Sequence, residues 1–96
     1  MDSESVLAKL RGLKPRAAAL FKVKELGMFG SFARGEQNDD SDIDVLVEFE
    51  EGADLFDLLG LTLYLEEELQ RKVDVVSKRA LREELRGAVL REVVAV

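Results

Sequence analysis

GSFARGEQNDDSDIDVLVEF, from Gly30 to Phe49, decides how the rest of this chain is arranged. A Gly-Ser turn is followed by ten residues and then by an Asp-x-Asp pair that opens an apolar run. In that run Ile43, Val45, Val47 and Phe49 alternate with Asp42, Asp44, Leu46 and Glu48. Side chains alternate faces along a strand, so burying the first set turns Asp42 and Asp44 together to the other face. The polar, turn-rich EQNDDS before the pair predicts a loop. Upstream, Val23 to Phe29 (VKELGMF) is compatible with a strand and runs directly into Gly30 and Ser31. That order predicts a strand, a tight turn and a short helical piece ending at Arg34-Gly35. Backbone N–H groups at such a helix start attract anions, which makes Gly30 and Ser31 candidate phosphate ligands.

Working outward toward the C-terminus, Asp54 is placed to cap a helix from Leu55 to Gln70. Leu55, Leu58, Leu59, Thr62, Leu65 and Leu69 would form its broad apolar face. A second carboxylate strand, Val73 to Val76 with Asp74 inside it, follows. Strand, helix, strand makes a crossover, so the two Asp-bearing strands should be parallel and, as neighbours, should bring Asp74 to Asp42 and Asp44. Ser77 is then read as the cap of a helix whose face is Leu81, Leu85, Val89 and Val93, broken near Gly87. At the other end, Ser3 or Ser5 would cap a helix that stops at Gly12, and Pro15 would begin a second short one through Leu20. The fold class expected is α/β, in the α+β sense: a mixed sheet of three or four strands backed by helices. Ninety-six residues suffice for one such domain, 1–96, with a single modest core.

Composition narrows the chemistry. The chain has no Cys and no His, which excludes disulfides, thiolate and imidazole metal sites, Cys nucleophiles and His bases. Reactions must run on carboxylates, hydroxyls, Lys, Arg and bound ions. With 20 acidic against 14 basic residues, a long phosphate backbone is repelled on average, so direct nucleic-acid binding is not expected. A small phosphate ligand remains compatible, because carboxylates that capture Mg²⁺ become locally attractive to it. The acidic start, MDSESVLAKL, has no apolar signal core, and no stretch approaches the ~20 apolar residues that span a bilayer. A cytoplasmic protein without membrane contact is the default.

Three aspartates on one sheet face repel each other, and a cation removes the conflict. Mg²⁺ prefers hard oxygen ligands and commonly takes one or two carboxylates plus substrate phosphates. Two such ions can activate an attacking hydroxyl and steady the leaving oxygen of an in-line displacement. Asp42, Asp44 and Asp74 are therefore the candidate metal and catalytic residues, with Asp74 nearest the attacking hydroxyl and its expected proton acceptor. Asp40, Asp42, Asp44 and Glu51 also fall at EF-hand loop spacing, but the glycine that loop needs at its sixth position is Val45. Arg34 is placed either to approach phosphate or to brace the loop by an ion pair. Phe29 and Phe32 read as core, and Lys72 and Lys78 as edge charges.

Gly30-Ser31, ten residues, Asp42-x-Asp44, with Arg34-Gly35 between and Asp74 in a later VDVV strand, resembles the minimal nucleotidyltransferases (MNT) of the DNA polymerase β superfamily. The resemblance extends from about Val23 to Val96 and its motifs are specific as a set. It implies a polymerase-β-like palm, Mg²⁺, and a nucleoside triphosphate, usually ATP, whose nucleotidyl group moves to an acceptor hydroxyl. Carried over, Gly30, Ser31 and Arg34 would bind the nucleotide, while Asp42, Asp44 and Asp74 would bind metal and catalyse. Many stand-alone relatives of this size are antitoxins that silence a HEPN-domain ribonuclease toxin by adenylylating it on tyrosine. The chain lacks the extra domains with which larger relatives grip tRNA, DNA or antibiotics, which favours a protein acceptor. Two other readings are a module that neutralises its partner by contact alone, and a transferase for a small molecule. Apolar surface on the long helix and the C-terminal valines would serve a partner or a homo-oligomer.

Overall fold

Burial of Ile43, Val45 and Val47, none of which retains exposed surface, sets the register of the central strand. The computed structural model describes residues 2–96. In chain order the elements are α1 (Ser3–Phe21), β1 (Val23–Phe29), α2 (Gly30–Arg34), β2 (Ile43–Phe49), α3 (Leu55–Leu69), β3 (Val73–Ser77), a 3-10 turn (Lys78–Ala80), α4 (Glu83–Glu92) and β4 (Val94–Ala95). The strands make one mixed sheet in the order β3-β2-β1-β4. β2 pairs antiparallel with β1 and parallel with β3, as the crossover through α3 requires. The expected mixed sheet backed by helices is what forms.

One core joins α1 (Val6, Leu10, Ala17) and α3 (Leu61, Leu65, Leu69) to the inner face of the sheet (Leu26, Met28, Ile43, Val45, Val47, Val73). Those two helices therefore cover one face, and the even-numbered residues of β2 look out from the other. Among the described residues no helix is long and apolar enough to cross a membrane.

Four local expectations are corrected. The first nineteen helical residues form one helix, α1, and neither Gly12 nor Pro15 interrupts it. Val6, Leu10, Leu13 and Ala17 keep helical spacing through both, and fully burying Val6 and Leu10 at ~1.5–3 kcal/mol each offsets the ~3 kcal/mol cost of an interior proline. Asp2, rather than Ser3 or Ser5, caps α1: Ser5 N donates to Asp2 Oδ1 at 2.7 Å. Ser3 Oγ instead donates to the Phe32 carbonyl at 2.5 Å, tying α1 to α2.

Asp54 does cap α3, with Asp57 returning a bond to the Asp54 amide at 3.0 Å in a capping box. The buried stripe, however, is Leu61, Leu65 and Leu69 with Leu58 half-buried beside it, while Leu55, Phe56, Leu59 and Leu63 stay exposed. Gly60 explains the rotation, because a Cβ there would come within 2.6 Å of Phe21 Cε1, so α3 presents its bare side to α1. Finally, α4 passes through Gly87 unbroken. Leu81 and Val93 lie outside it, and the chain end forms β4, where Val96 N donates to the Leu26 carbonyl at 3.0 Å.

Candidate active site

β1 delivers the chain to the Gly-Ser turn. Gly30 adopts φ +75°, and a Cβ there would overlap Asp44 Oδ2 and sit 2.8 Å from Asp44 Cγ. Only glycine can lie against that carboxylate in this backbone conformation. Asp44 is in register with Phe29 across β1 and with Asp74 across β3. Parallel neighbours in register point their side chains the same way from strands ~4.8 Å apart, so Asp44 and Asp74 form a side-by-side pair. Ser31, half-buried, follows Gly30 directly.

Asp44 is half-buried and its carboxyl is pushed up to about 6, first by loss of solvent, then by the charges of Asp74 and Asp42. Arg34 acts in the opposite sense, and Glu92 adds a further raising charge. Asp74 is exposed on the edge strand, open to an incoming group. Asp42 ends the loop just before β2. The three expected carboxylates share one region but do not close on a common point: among the described residues no three acidic side chains are grouped tightly enough to hold one ion. The donor set nevertheless fits Mg²⁺, which takes one or two carboxylates and completes its shell with phosphate oxygens and water. Asp44, whose ionisation is opposed first by burial and then by its acidic neighbours, is the group such a cation would most relieve.

Two residues at this site escaped the sequence reading. Arg71 donates from Nε to the Ser41 carbonyl at 2.9 Å and from Nη2 to the carbonyls of Asn38 at 2.8 Å and Asp39 at 3.0 Å. Its guanidinium also lies 5.2 Å from the centre of the buried Phe32 ring. One side chain thus holds the loop that presents Asp42. Nothing local marks it, since an Arg just past a helix end is ordinarily a solvated charge.

Glu92, the last residue of α4, accepts from Gly30 N at 2.9 Å and from Arg34 Nη1 at 3.1 Å. The Gly30 amide, and after it Arg34, hold its carboxyl below the usual range. Arg34 Nε donates to Glu36 at 2.9 Å as well, so its guanidinium is paired with two glutamates. Phe32 is core, as read, and Lys78 lies 3.9 Å from Glu48. A concavity of about 570 Å³ between Phe49, Leu58 and Ser77 lies at the far ends of β2 and β3 from the aspartates. Of the three carboxylates Asp74 is exposed, while Asp42 and Asp44 are half-buried.

Comparison with known proteins places this geometry. Residues 10–96 match the family described as nucleotidyltransferase domain. The protein adenylyltransferase MntA of Thermococcus cleftensis is 43% identical over 93 residues, covering 97% of this chain and 94% of that protein. A Methanocaldococcus jannaschii protein named as an adenylyltransferase is 47% identical over 74 residues, 77% of this chain and 80% of its own. Among solved structures, one described as a minimal nucleotidyltransferase superposes with a TM-score of 0.87 at 43% identity, covering 100% of this chain and 97% of that one. A Shewanella oneidensis complex of a tri-AMPylated HEPN toxin with an MNT antitoxin gives a TM-score of 0.70 at 22% identity, over 97% of this chain and 70% of that one, a likeness of fold alone.

Proposed function

This chain belongs to the nucleotidyltransferase domain family, and from that premise we propose that it moves AMP from ATP to a hydroxyl on a partner protein. The partner we propose is a HEPN-domain toxin, with this protein as its cytoplasmic antitoxin and residues 1–96 as a single nucleotidyltransferase domain. The observation that carries the reading is the Asp44–Asp74 pair on parallel strands with the Gly30 backbone pressed against Asp44. Near-full-length similarity to a protein adenylyltransferase supports the acceptor class.

In this reading the backbone and hydroxyl of Ser31, the Gly30 amide and Arg34 take the triphosphate. Asp42, Asp44 and Asp74 would hold Mg²⁺, which when bound neutralises phosphate charge and favours the ionised acceptor oxygen. The acceptor oxygen forms a bond to the α-phosphorus as the bond to the bridging oxygen of the β-phosphate breaks, and pyrophosphate leaves. The hydroxyl proton passes to Asp74, which stands exposed on the edge strand where a protein partner can reach it. Arg71 keeps the loop in place so that Asp42 stays beside Asp44. The open face around the carboxylates supports a macromolecular acceptor over a small molecule that would need an enclosing wall.

The test mixes the protein with α-labelled ATP, Mg²⁺ and the companion protein encoded beside it. Label is expected on the companion and is lost in Asp42→Asn. Neutralisation that survives Asp42→Asn with no label transferred would identify a contact-only module instead.

A further inference from the structure

Gly30 N–H and the Arg34 guanidinium, two of the groups assigned above to the triphosphate, are both already engaged by one carboxylate. Glu92 reaches them from the end of α4, 62 residues along the chain from Gly30. It does so as a cap would: Phe29, which precedes α2, has no side-chain bond to offer the helix, and Glu92 supplies the missing acceptor. A carboxylate bound to a backbone amide and an Arg is the arrangement a phosphate oxygen would make with the same donors. One N–H carries one hydrogen, so Gly30 cannot serve Glu92 and a phosphate at full strength together.

We infer that Glu92 is an affinity-determining residue of the nucleotide site, a built-in anion that occupies the phosphate ligands Gly30 N and Arg34 until a triphosphate displaces it. The inference rests on the nucleotide reading above. Its consequence is that binding of phosphate is weakened by the competing side chain, and that the end of α4, which continues directly into β4 on the edge of β1, is tied to whether the site is filled. Arg34 is held on its other side by Glu36, so releasing Glu92 frees the Nη1 edge of the guanidinium while Nε stays anchored. The freed edge is then oriented toward Gly30 rather than loose.

The experiment titrates ATP and adenosine into the full chain with constant Mg²⁺, comparing wild type with Glu92→Ala and Glu92→Gln by calorimetry. Glu92→Ala is expected to bind ATP about ten-fold tighter and Glu92→Gln to fall between, since the amide keeps an acceptor for Gly30 but loses the charge facing Arg34. Adenosine, which has no phosphate, should bind all three alike; a purely structural Glu92 would shift both ligands together. Equal or weaker ATP binding by both variants, with wild type binding well, overturns the inference and leaves the nucleotide site standing. No ATP binding by any of the three proteins removes the nucleotide reading and this inference with it. Should Glu92→Ala not fold, inorganic triphosphate added to unmodified protein decides: the Glu92 side-chain carboxyl carbon must shift as the anion displaces it, and a fixed resonance at saturation overturns the displacement.

Discussion

Ile43, Val45 and Val47 on β2 point into a layer closed by α1 and α3, whereas Asp44, between the first two, looks onto a face that carries Asp74 and is largely open. The two faces are interleaved residue by residue on one strand, yet different physics governs them. On the closed face stability is spread over many similar contacts, none of them irreplaceable. On the open face a few charges, each without a substitute, are held at a cost to the fold that substrate and cation would relieve.

Substituting one residue from each face separates them most sharply. Asp44→Asn is expected to reduce nucleotidyl transfer by ~10³-fold, the upper end of what one electrostatic contact in an active site is worth. The same change should raise the thermal midpoint at pH 7, because it removes a carboxylate whose ionisation the fold opposes. Leu65→Ala, on α3 and fully buried, should do the reverse, losing ~2–5 kcal/mol in denaturant unfolding while folded molecules keep their transfer rate. A thermal midpoint that falls in Asp44→Asn breaks the contrast.

Arg71 tests whether the open face depends on support from behind it. Arg71→Ala should slow transfer by ~10–100-fold, as loss of groups that orient ligands does, by loosening the loop from Asn38 to Ser41. Because Asp42 moves and the nucleotide contacts do not, kcat should fall with little change in the KM for ATP. A rise in KM alone would place Arg71 in nucleotide binding instead.

The smallest effect is in the proton chemistry of the metal-free protein. Asp44 has a folded pKa above its ordinary 3.8, so it favours the fold below that value and loses this contribution as pH rises through about 6. Glu92 is shifted downward, so its contribution is present above its ordinary 4.5 and is lost as pH falls through the lowered value. Carboxyl carbon resonances followed from pH 3 to 8 should therefore show two acids at one site displaced in opposite directions. Asp44 titrating near 3.8 would mean that neither loss of solvent nor the charges of Asp74 and Asp42 act on it as this geometry requires.

The aspartates were legible because a strand translates sequence parity directly into faces. Asp42 and Asp44 share a parity, and the apolar partners between and after them leave only one face for the carboxylates. The turn at Gly30 was legible for a related reason, since glycine at the end of a strand can take the left-handed backbone that a tight corner needs and other residues avoid. Helical detail was less legible. The leucines of α3 satisfy two overlapping stripes, and the choice fell to Gly60 against Phe21, a contact between residues 39 apart. Pro15 and Gly12 look like breaks wherever burial on either side is left out of account.

Local sequence by itself determined the first three strands, their parity, the Gly-Ser corner and the absence of any His or Cys chemistry, because each follows from residue type and near-neighbour spacing. Tertiary structure alone decided that Arg71 would hold the loop before Asp42 and that Glu92 would fill the amide of Gly30. Both are single charged side chains near helix ends, a setting in which solvation is the ordinary outcome. What gives each a role is a group at least thirty residues away, brought within 3 Å by the closing of the sheet.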